Sequence, residues 1–182
     1  GTGIAGSCVS YQLSKEDWDI DIFEHCSEVS NGASGNPLAA LYPKFNFLTT
    51  ELNYFNIFSF CYASRFYLSD QFKEAYFPSG VSFIDTNPNL SRWIEKVVQL
   101  NRADMFELNK SSSDALTNLK SAKLRVKNCG YVDPKKMNSK LLEPNNIKIF
   151  KNYSFIDYSK QKSKLMLNFK NKILAIAVPK TP

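Results

Sequence analysis

A chain of 182 residues with 43% hydrophobic residues can form one sizeable domain, or parts of two, and its composition excludes disorder as the default state. The net charge of +6 is unevenly spread: residues 1–119 carry eight Lys/Arg against fourteen Asp/Glu, and residues 120–182 carry fifteen against three. The basic part is able to attract a polyanion. A solvated, Lys- and Asn-rich surface is the alternative, and charge alone favours it.

The sequence has no run of eighteen uncharged apolar residues, so we expect no membrane span. We also expect no signal peptide before the glycine motif. Its four cysteines, Cys8, Cys26, Cys61 and Cys129, show no Cys-x-x-Cys spacing. They are therefore predicted to be reduced and structural, as is typical of a cytoplasmic protein. Because the opening glycine motif normally follows a β-strand, we expect this chain to be a segment of a longer protein.

Residues 1–6 form the motif Gly-Thr-Gly-Ile-Ala-Gly. A Gly-x-Gly-x-x-Gly turn joins a strand to a helix and brings the backbone close to a pyrophosphate, whose charge is met by N–H groups at the helix N-terminus. The apolar rows of residues 4–14 predict that helix, with Ile4, Cys8 and Tyr11 on one row and Val9 and Leu13 on the next, so that its inner face can pack on a parallel sheet. A simple glycine turn is the alternative, but the residues that follow favour dinucleotide binding.

The alternating apolar run Trp18–Glu24 predicts a second strand. It ends in Glu24, eighteen residues beyond Gly6, where a carboxylate accepts hydrogen bonds from the ribose hydroxyls of an unphosphorylated adenosine, as in FAD or NAD. His25 is the only histidine and is predicted to have no Cys or carboxylate at ligand spacing, so we expect a surface or adenosine-edge residue there. No metal site is predicted.

The segment 30–44 is rich in small residues. Its Gly-Ala-Ser-Gly-Asn-Pro run at 32–37 suits a loop whose backbone lies against a flat ligand, and Pro37 restricts Asn36 to extended conformations. An ordinary turn before a helix is the alternative. The preceding dinucleotide motif favours the ligand loop.

Residues 51–72 predict a long amphipathic helix, and an aromatic row at helical spacing indicates core rather than a ligand pocket. The row consists of Leu52, Phe55, Phe58, Tyr62, Phe66 and Tyr67. Strands are predicted at 80–85, 106–109, 124–133, 146–150, 165–169 and 173–178, and further helices at 89–100 and 111–119. Pro134 after Asp133 predicts the start of a helix.

Together these motifs resemble the FAD-dependent oxidoreductase domain of the bifunctional tRNA 5-methylaminomethyl-2-thiouridine biosynthesis enzymes, within the glycine oxidase and D-amino-acid oxidase superfamily. The specific part is the 32–37 run followed by Leu-Tyr-Pro at 41–43. The match is partial at 129–133, where Cys129 and Asp133 depart from the family pattern. The segment after Val178 also departs from it.

The resemblance implies an α/β fold: a partial Rossmann-like FAD-binding domain whose first strand is missing, with the start of an inserted α+β substrate domain. The implied division is 1–78 for the FAD-binding domain, 79–133 for the insert and 134–182 for the return. The implied cofactor is FAD, and the implied cofactor-binding residues are Gly1, Gly3, Ile4, Ala5, Gly6, Glu24, Ala33, Ser34, Gly35, Asn36 and Phe155.

For the parent protein, the resemblance implies removal of the carboxymethyl group from 5-carboxymethylaminomethyl(-2-thio)uridine at the tRNA wobble position, by hydride transfer to flavin and imine hydrolysis. It also implies a cytoplasmic location and a methyltransferase domain in the same parent chain. A small-molecule amine oxidase of the glycine or sarcosine type and an inactive truncated remnant are the alternatives. No catalytic residue is assigned; Tyr42 and Lys44 follow the flavin loop and are candidates for approaching it, with a structural role as the alternative.

Overall fold

A computed structural model describes residues 1–44, 51–84, 106–109, 123–162, 164–170 and 172–177. The predicted helices at 89–100 and 111–119 and the chain after residue 177 lie outside these ranges. Contacts divide the chain into two compact units: residues 1–37 with 134–182, and residues 38–133. The division of the chain by function stays a prediction.

The described elements are, in chain order, α1 (Ile4–Ser14), β1 (Ile20–Phe23), β2 (Ala39–Leu41), α2 (Glu51–Tyr67), β3 (Tyr76–Phe77), β4 (Val81–Ile84), β5 (Phe106–Asn109), β6 (Lys123–Val126), β7 (Gly130–Val132), α3 (Pro134–Leu141), β8 (Ile147–Phe150), β9 (Phe155–Gln161), β10 (Lys164–Phe169) and β11 (Lys172–Ala177). A short 3-10 turn covers Ala33–Gly35.

In the first unit, β1 and β8 pair in parallel, with Ile20 opposite Ile147 and Phe23 opposite Phe150. Alternating isoleucines fit such a pair because β-branched side chains pack well on a pleated surface. The prediction of two parallel strands at these places is confirmed. Parallel pairing brings the carboxyl ends of both strands to one edge, where Glu24 follows β1.

Helix α1 begins and ends where the sequence pattern predicts, but only one of its two apolar rows is inside: Tyr11 is buried and Ile4 and Cys8 are half-buried. Its buried residues are Ser7, Ser10, Tyr11 and Ser14. Val9 and Leu13, which we expected to pack on the sheet, are 60% and 39% exposed. Helix α1 contacts α3. On the buried side of α1, Ser7 donates to Thr2 O, which also accepts from Asn138 of α3.

The chain after β8 forms an antiparallel sheet in the order β11-β10-β9. Leu167 of β10 lies opposite Tyr158 of β9 and Leu174 of β11. The strands predicted at 165–169 and 173–178 are thus present as parts of this sheet. Helix α3 begins at Pro134, as predicted from the Asp-Pro pair.

Within the described part of the second unit there are two three-stranded sheets, β2-β7-β3 and β4-β6-β5, and helix α2. A cluster of Phe60, Leu124, Val126 and Cys129 forms a buried core. The single strand predicted at 124–133 is two strands, because Asn128 adopts a φ of +54° between them. Asn tolerates this left-handed conformation better than most residues, so the turn is compatible with its side chain.

The aromatic row of α2 is only partly buried, so the prediction that it forms core is wrong for four residues. More than half of the surface of Leu52, Phe55, Phe58 and Tyr62 is exposed. The buried row is instead Phe60, Ser64 and Tyr67, while Phe66 is half-buried. Apolar residues occur on both sides of this helix, so periodicity alone did not identify the inward side.

All four cysteines are free, in agreement with the sequence prediction. Among the described residues, none of the helices is long and apolar enough to cross a bilayer.

Candidate dinucleotide site

The glycine turn leads directly into α1. Gly3 is the N-cap residue of this helix, and the backbone N–H of Ile4 donates to Ser34 Oγ over 3.0 Å. A Cβ on Gly6 would collide with the carbonyl oxygen of Gly1, so the start of the turn passes very close to the helix. Only glycine fits there, which is the physical reason for the third glycine of the motif.

Glu24 lies at the carboxyl end of β1 and faces this turn. Its backbone N–H donates to Phe150 O at 2.9 Å and its carbonyl accepts from Tyr153 N at 2.8 Å, which fixes the residue in place. The residue is only 5% exposed. Its Oε2 accepts hydrogen bonds from the backbone N–H of Thr2 at 2.8 Å and from the Thr2 hydroxyl at 2.6 Å. The carboxylate therefore reaches the opening glycines, as the ribose-binding interpretation requires.

The second carboxylate oxygen has two partners of its own. Glu24 Oε1 accepts from the Cys26 N–H at 3.1 Å and lies 2.8 Å from His25 Nδ1. Burial raises the pKa of Glu24, but the hydrogen bonds from the Thr2 hydroxyl, the Thr2 N–H and the Cys26 N–H, with the charge of His25, outweigh burial and lower the pKa to about 2. Glu24 is therefore ionised at neutral pH.

His25 has both a carboxylate and a thiol beside it, so the prediction that neither lies at ligand spacing is wrong. Its Nε2 lies 3.1 Å from Cys26 Sγ, and one ligand atom from each of Glu24, His25 and Cys26 lies within 4.8 Å of the others. The chain bends after β1, and this bend brings consecutive side chains together that would alternate in an extended strand. Both oxygens of Glu24 accept two protein contacts each, so the three side chains form a hydrogen-bonded cluster.

A buried polar network behind the turn was not predicted from the sequence. Thr2 Oγ1 accepts from the Ser30 N–H at 3.0 Å, and Thr2 O accepts from Ser7 Oγ at 3.2 Å and Asn138 Nδ2 at 3.2 Å. Asn138 Nδ2 also lies 2.7 Å from Ser30 Oγ. These four residues are buried. Asn138 is on α3, 136 positions from Thr2, and a polar residue in a lysine-rich helix carries no sequence signal of such a contact.

The 32–37 loop contributes one side chain to the glycine turn. Ser34 Oγ accepts the hydrogen bond from the Ile4 N–H at the start of α1, and a Cβ on Gly3 would lie 3.5 Å from this oxygen. Asn36 is extended, with φ −61° and ψ 145°, as predicted from Pro37. The Ala33–Gly35 turn is close-packed, because a Cβ on Gly35 would lie 2.8 Å from Ser30 O.

A cavity of about 560 Å³ lies beside α1 and β1. Gly1, Val9, Phe23 and Phe155 are among the residues that line it, and its size is in the range of small-molecule sites. Phe155 is 54% exposed at the start of β9. The predicted adenine-contacting residue and the glycine turn therefore line the same cavity.

For two sequence candidates, a role at this site stays a prediction. Tyr42 and Lys44 belong to the second unit, where the Tyr42 ring lies 6.2 Å from the Phe83 ring and Lys44 is exposed. The remaining candidates, Ile4 and Ala5, are the first residues of α1.

The residues present fit a dinucleotide such as FAD. Side chains on Gly1 and Gly3 would fill the space in front of Glu24 Oε2 and Ser34 Oγ, since their Cβ atoms would lie 3.6 Å and 3.5 Å from those atoms. Glycine leaves both approaches open. An open N-terminal turn of α1 and an ionised carboxylate at the end of β1 are complementary to a pyrophosphate and to ribose hydroxyls, respectively.

The chain matches no known protein-family profile. It is 28% identical over 174 residues to the tRNA 5-methylaminomethyl-2-thiouridine biosynthesis bifunctional protein MnmC of Campylobacter jejuni, a match that covers 96% of this chain and 26% of the relative. It is 32% identical over 102 residues to the MnmC protein of Pseudoalteromonas atlantica, covering 54% of this chain and 14% of that relative. The chain thus spans about a quarter or less of the length of these relatives.

Solved structures share its fold. Glycine oxidase from Geobacillus kaustophilus superposes with a TM-score of 0.71 at 15% identity, over 96% of this chain and 51% of that one. L-alpha-glycerophosphate oxidase from Mycoplasma pneumoniae, solved with FAD bound, superposes with a TM-score of 0.68 at 18% identity, over 94% and 48%. These similarities confirm the resemblance that the motifs predicted. They also confirm the predicted partial Rossmann-like α/β fold.

Proposed function

We propose that this chain is part of an FAD-dependent oxidoreductase that acts on a CH–NH donor. The observation that carries the proposal is the ionised Glu24 at the end of a parallel strand, hydrogen-bonded to the opening glycine turn at 2.8 Å. Similarity to MnmC proteins and to FAD-containing oxidases supports the same cofactor.

In this proposal each part of the site has one task. The backbone of Gly1 and of Gly3 to Gly6 passes around the pyrophosphate, assisted by the N-terminus of α1 and the hydroxyl of Ser34. Glu24 accepts the ribose hydroxyls, and Phe155 borders the adenine. Ala33, Gly35 and Asn36 form the backbone that leads toward the flavin. When bound, FAD supplies the electron acceptor for amine oxidation, so the chain itself needs to bind, orient and shield it.

The finer proposal concerns the substrate. We propose that the parent protein removes the carboxymethyl group of 5-carboxymethylaminomethyl(-2-thio)uridine at the tRNA wobble position, with water hydrolysing the resulting imine. It rests on the match to MnmC proteins over 96% of this chain. A methyltransferase domain in the same parent chain and a cytoplasmic location are part of this proposal, and the free cysteines agree with the latter.

The cofactor proposal is tested by titrating FAD into the 182-residue chain and following flavin fluorescence. We expect saturable binding. Glu24→Ala should lower the affinity for FAD by at least about tenfold, because it removes one charge-assisted hydrogen bond to the ribose. Glu16→Gln is the control, because Glu16 is an exposed carboxylate that is not among the residues lining the cavity. Equal affinity of the Glu24→Ala variant and the original chain would remove the ribose contact from the proposal.

The substrate proposal needs the longest polypeptide that carries this segment. Incubated with tRNA bearing the carboxymethylaminomethyl modification, it should convert that nucleoside to the aminomethyl form, as measured by mass spectrometry of the digested tRNA. Turnover of free glycine or sarcosine without tRNA would instead favour the small-molecule amine oxidase. A preparation without a flavin spectrum after incubation with FAD would favour the inactive remnant.

A further inference from the structure

The carboxylate of Glu24 has no acceptor position left for a ribose. A carboxylate offers about four lone-pair positions. Oε2 accepts twice from Thr2, at 2.8 and 2.6 Å, and Oε1 is contacted by the Cys26 N–H at 3.1 Å and His25 Nδ1 at 2.8 Å. A ribose hydroxyl that bonds to Glu24 must therefore displace one of these donors.

The four donors differ in how easily a ribose hydroxyl can displace them from the Glu24 carboxylate. The two from Thr2 belong to a fully buried residue that is also tied to Ser30 and Asn138. The Cys26 N–H is a backbone group two residues along the chain, and the backbone there is held because Cys26 O accepts from Asn152 N at 3.2 Å. His25 alone donates through a side chain that is 69% exposed. Rotation of this side chain into water leaves Oε1 with the Cys26 N–H and one vacated acceptor position, which the ribose then fills.

We infer that His25 is an intramolecular competitor of the adenosine ribose: its Nδ1–H contacts Glu24 Oε1 at 2.8 Å and leaves when the nucleotide binds. This inference rests on the proposed function, because it assigns the ribose to Glu24. His25 thus competes for the carboxylate and sets a threshold for cofactor binding.

The neighbouring thiol supports the orientation of the ring. Because an ionised carboxylate can only accept, Nδ1 must carry the proton that faces Glu24. The other ring nitrogen, Nε2, lies 3.1 Å from the thiol sulfur of Cys26. Both ring nitrogens are therefore engaged on the bend that follows β1. An exposed side chain held at two points has a defined position that a ligand has to disrupt.

The direct test uses the fact that His25 is the only histidine in the chain. Its imidazole nitrogens can be observed by two-dimensional ¹H–¹⁵N NMR without assignment of any other residue. On titration with ADP, the Nδ1 signal should move from a hydrogen-bonded to a solvent-exposed position in step with binding. An unmoved signal at saturating ADP would overturn the inference.

Affinities provide the second measurement. We expect His25→Ala to bind ADP and FAD about three- to tenfold more tightly than the original chain, because one hydrogen bond no longer has to be broken. Affinity for FMN, which lacks the adenosine, should stay the same. Glu28→Gln is the matched control: it removes the exposed Lys151–Glu28 pair at 3.9 Å and should leave every affinity unchanged.

The outcomes separate the two proposals. If neither ADP nor FAD binds the original chain, the proposed function fails and the role of His25 fails with it. If ADP binds and His25→Ala has equal or lower affinity, only the competitor role is overturned, and lower affinity would mean that the imidazole contacts the nucleotide.

Discussion

Replacement of Glu24 by glutamine tests the site without any ligand. The amide has one oxygen and one NH₂ group, whereas both carboxylate oxygens of Glu24 face donors: two of Thr2 on one side, and the Cys26 N–H with His25 on the other. Either orientation of the substituted amide therefore points its NH₂ group at a backbone N–H. A buried donor left unpaired costs about 1–3 kcal/mol.

The charge adds a contribution that depends on pH. The pKa of Glu24 falls from an ordinary 4.5 to about 2, which at 1.36 kcal/mol per pKa unit corresponds to about 3 kcal/mol of stabilisation. Because the folded-state pKa is the lower one, this stabilisation is complete above pH 4.5 and is lost as the pH falls toward 2. Glu24→Gln has no such dependence.

Urea unfolding followed by circular dichroism measures both contributions. At pH 7 we expect Glu24→Gln to lower the free energy of unfolding by about 4–6 kcal/mol, the sum of the unpaired donor and the charge contribution. At pH 3 the difference between the two proteins should be smaller by about 2 kcal/mol, because the original chain has by then lost most of the charge contribution. Asp21→Asn, an exposed site on the same strand, should change stability by less than about 0.5 kcal/mol. A difference that is the same at pH 7 and pH 3 would refute the assignment of these hydrogen bonds to the charged form.

Three further predictions concern the surroundings of the site. Gly6→Ala should destabilise the chain by about 1–3 kcal/mol in the same unfolding assay, since its Cβ would meet the Gly1 carbonyl, whereas Gly32→Ala, with open space around it, should change stability by less than about 0.5 kcal/mol. Asn138→Ala should cost about 1–3 kcal/mol by leaving the buried Ser30 and Thr2 oxygens with one donor fewer; a loss below about 0.5 kcal/mol would show that the network is not needed. Burial raises the pKa of Cys129 to about 12, so at pH 8 Ellman's reagent should modify the half-buried Cys26 in the native chain and Cys129 only after unfolding; equal rates would contradict its burial.

The first helix, the parallel strand pair and the main features of the site could be predicted from local sequence. Gly-x-Gly-x-x-Gly has a steric reason for each glycine, and the collision that a side chain on Gly6 would cause is one of them. The alternation from Trp18 to Glu24 predicts a strand whose last residue lies at its carboxyl edge. These features depend on residues only a few positions apart in the chain, so they can be predicted from short segments of sequence.

The aromatic face of α2 and the inner side of α1 could not be predicted in this way. Both helices carry apolar residues on more than one side, and the buried side depends on what each helix packs against. In α1 the buried residues are three serines and Tyr11, and the helix contacts α3. Helical periodicity describes each helix alone and has no information about that partner.

By itself, the sequence determined that this chain opens with a glycine turn and that an acid follows the second strand, because both are properties of short segments. Only the tertiary structure decided how that acid is held. Its carboxylate oxygens accept hydrogen bonds from Thr2 and Cys26 and contact His25, and Asn138 of α3 donates a hydrogen bond to Thr2 O in the glycine turn. The physical reason is that hydrogen bonds between residues up to 136 positions apart, and the bend that brings His25 back onto Glu24, depend on the folded backbone rather than on residue spacing.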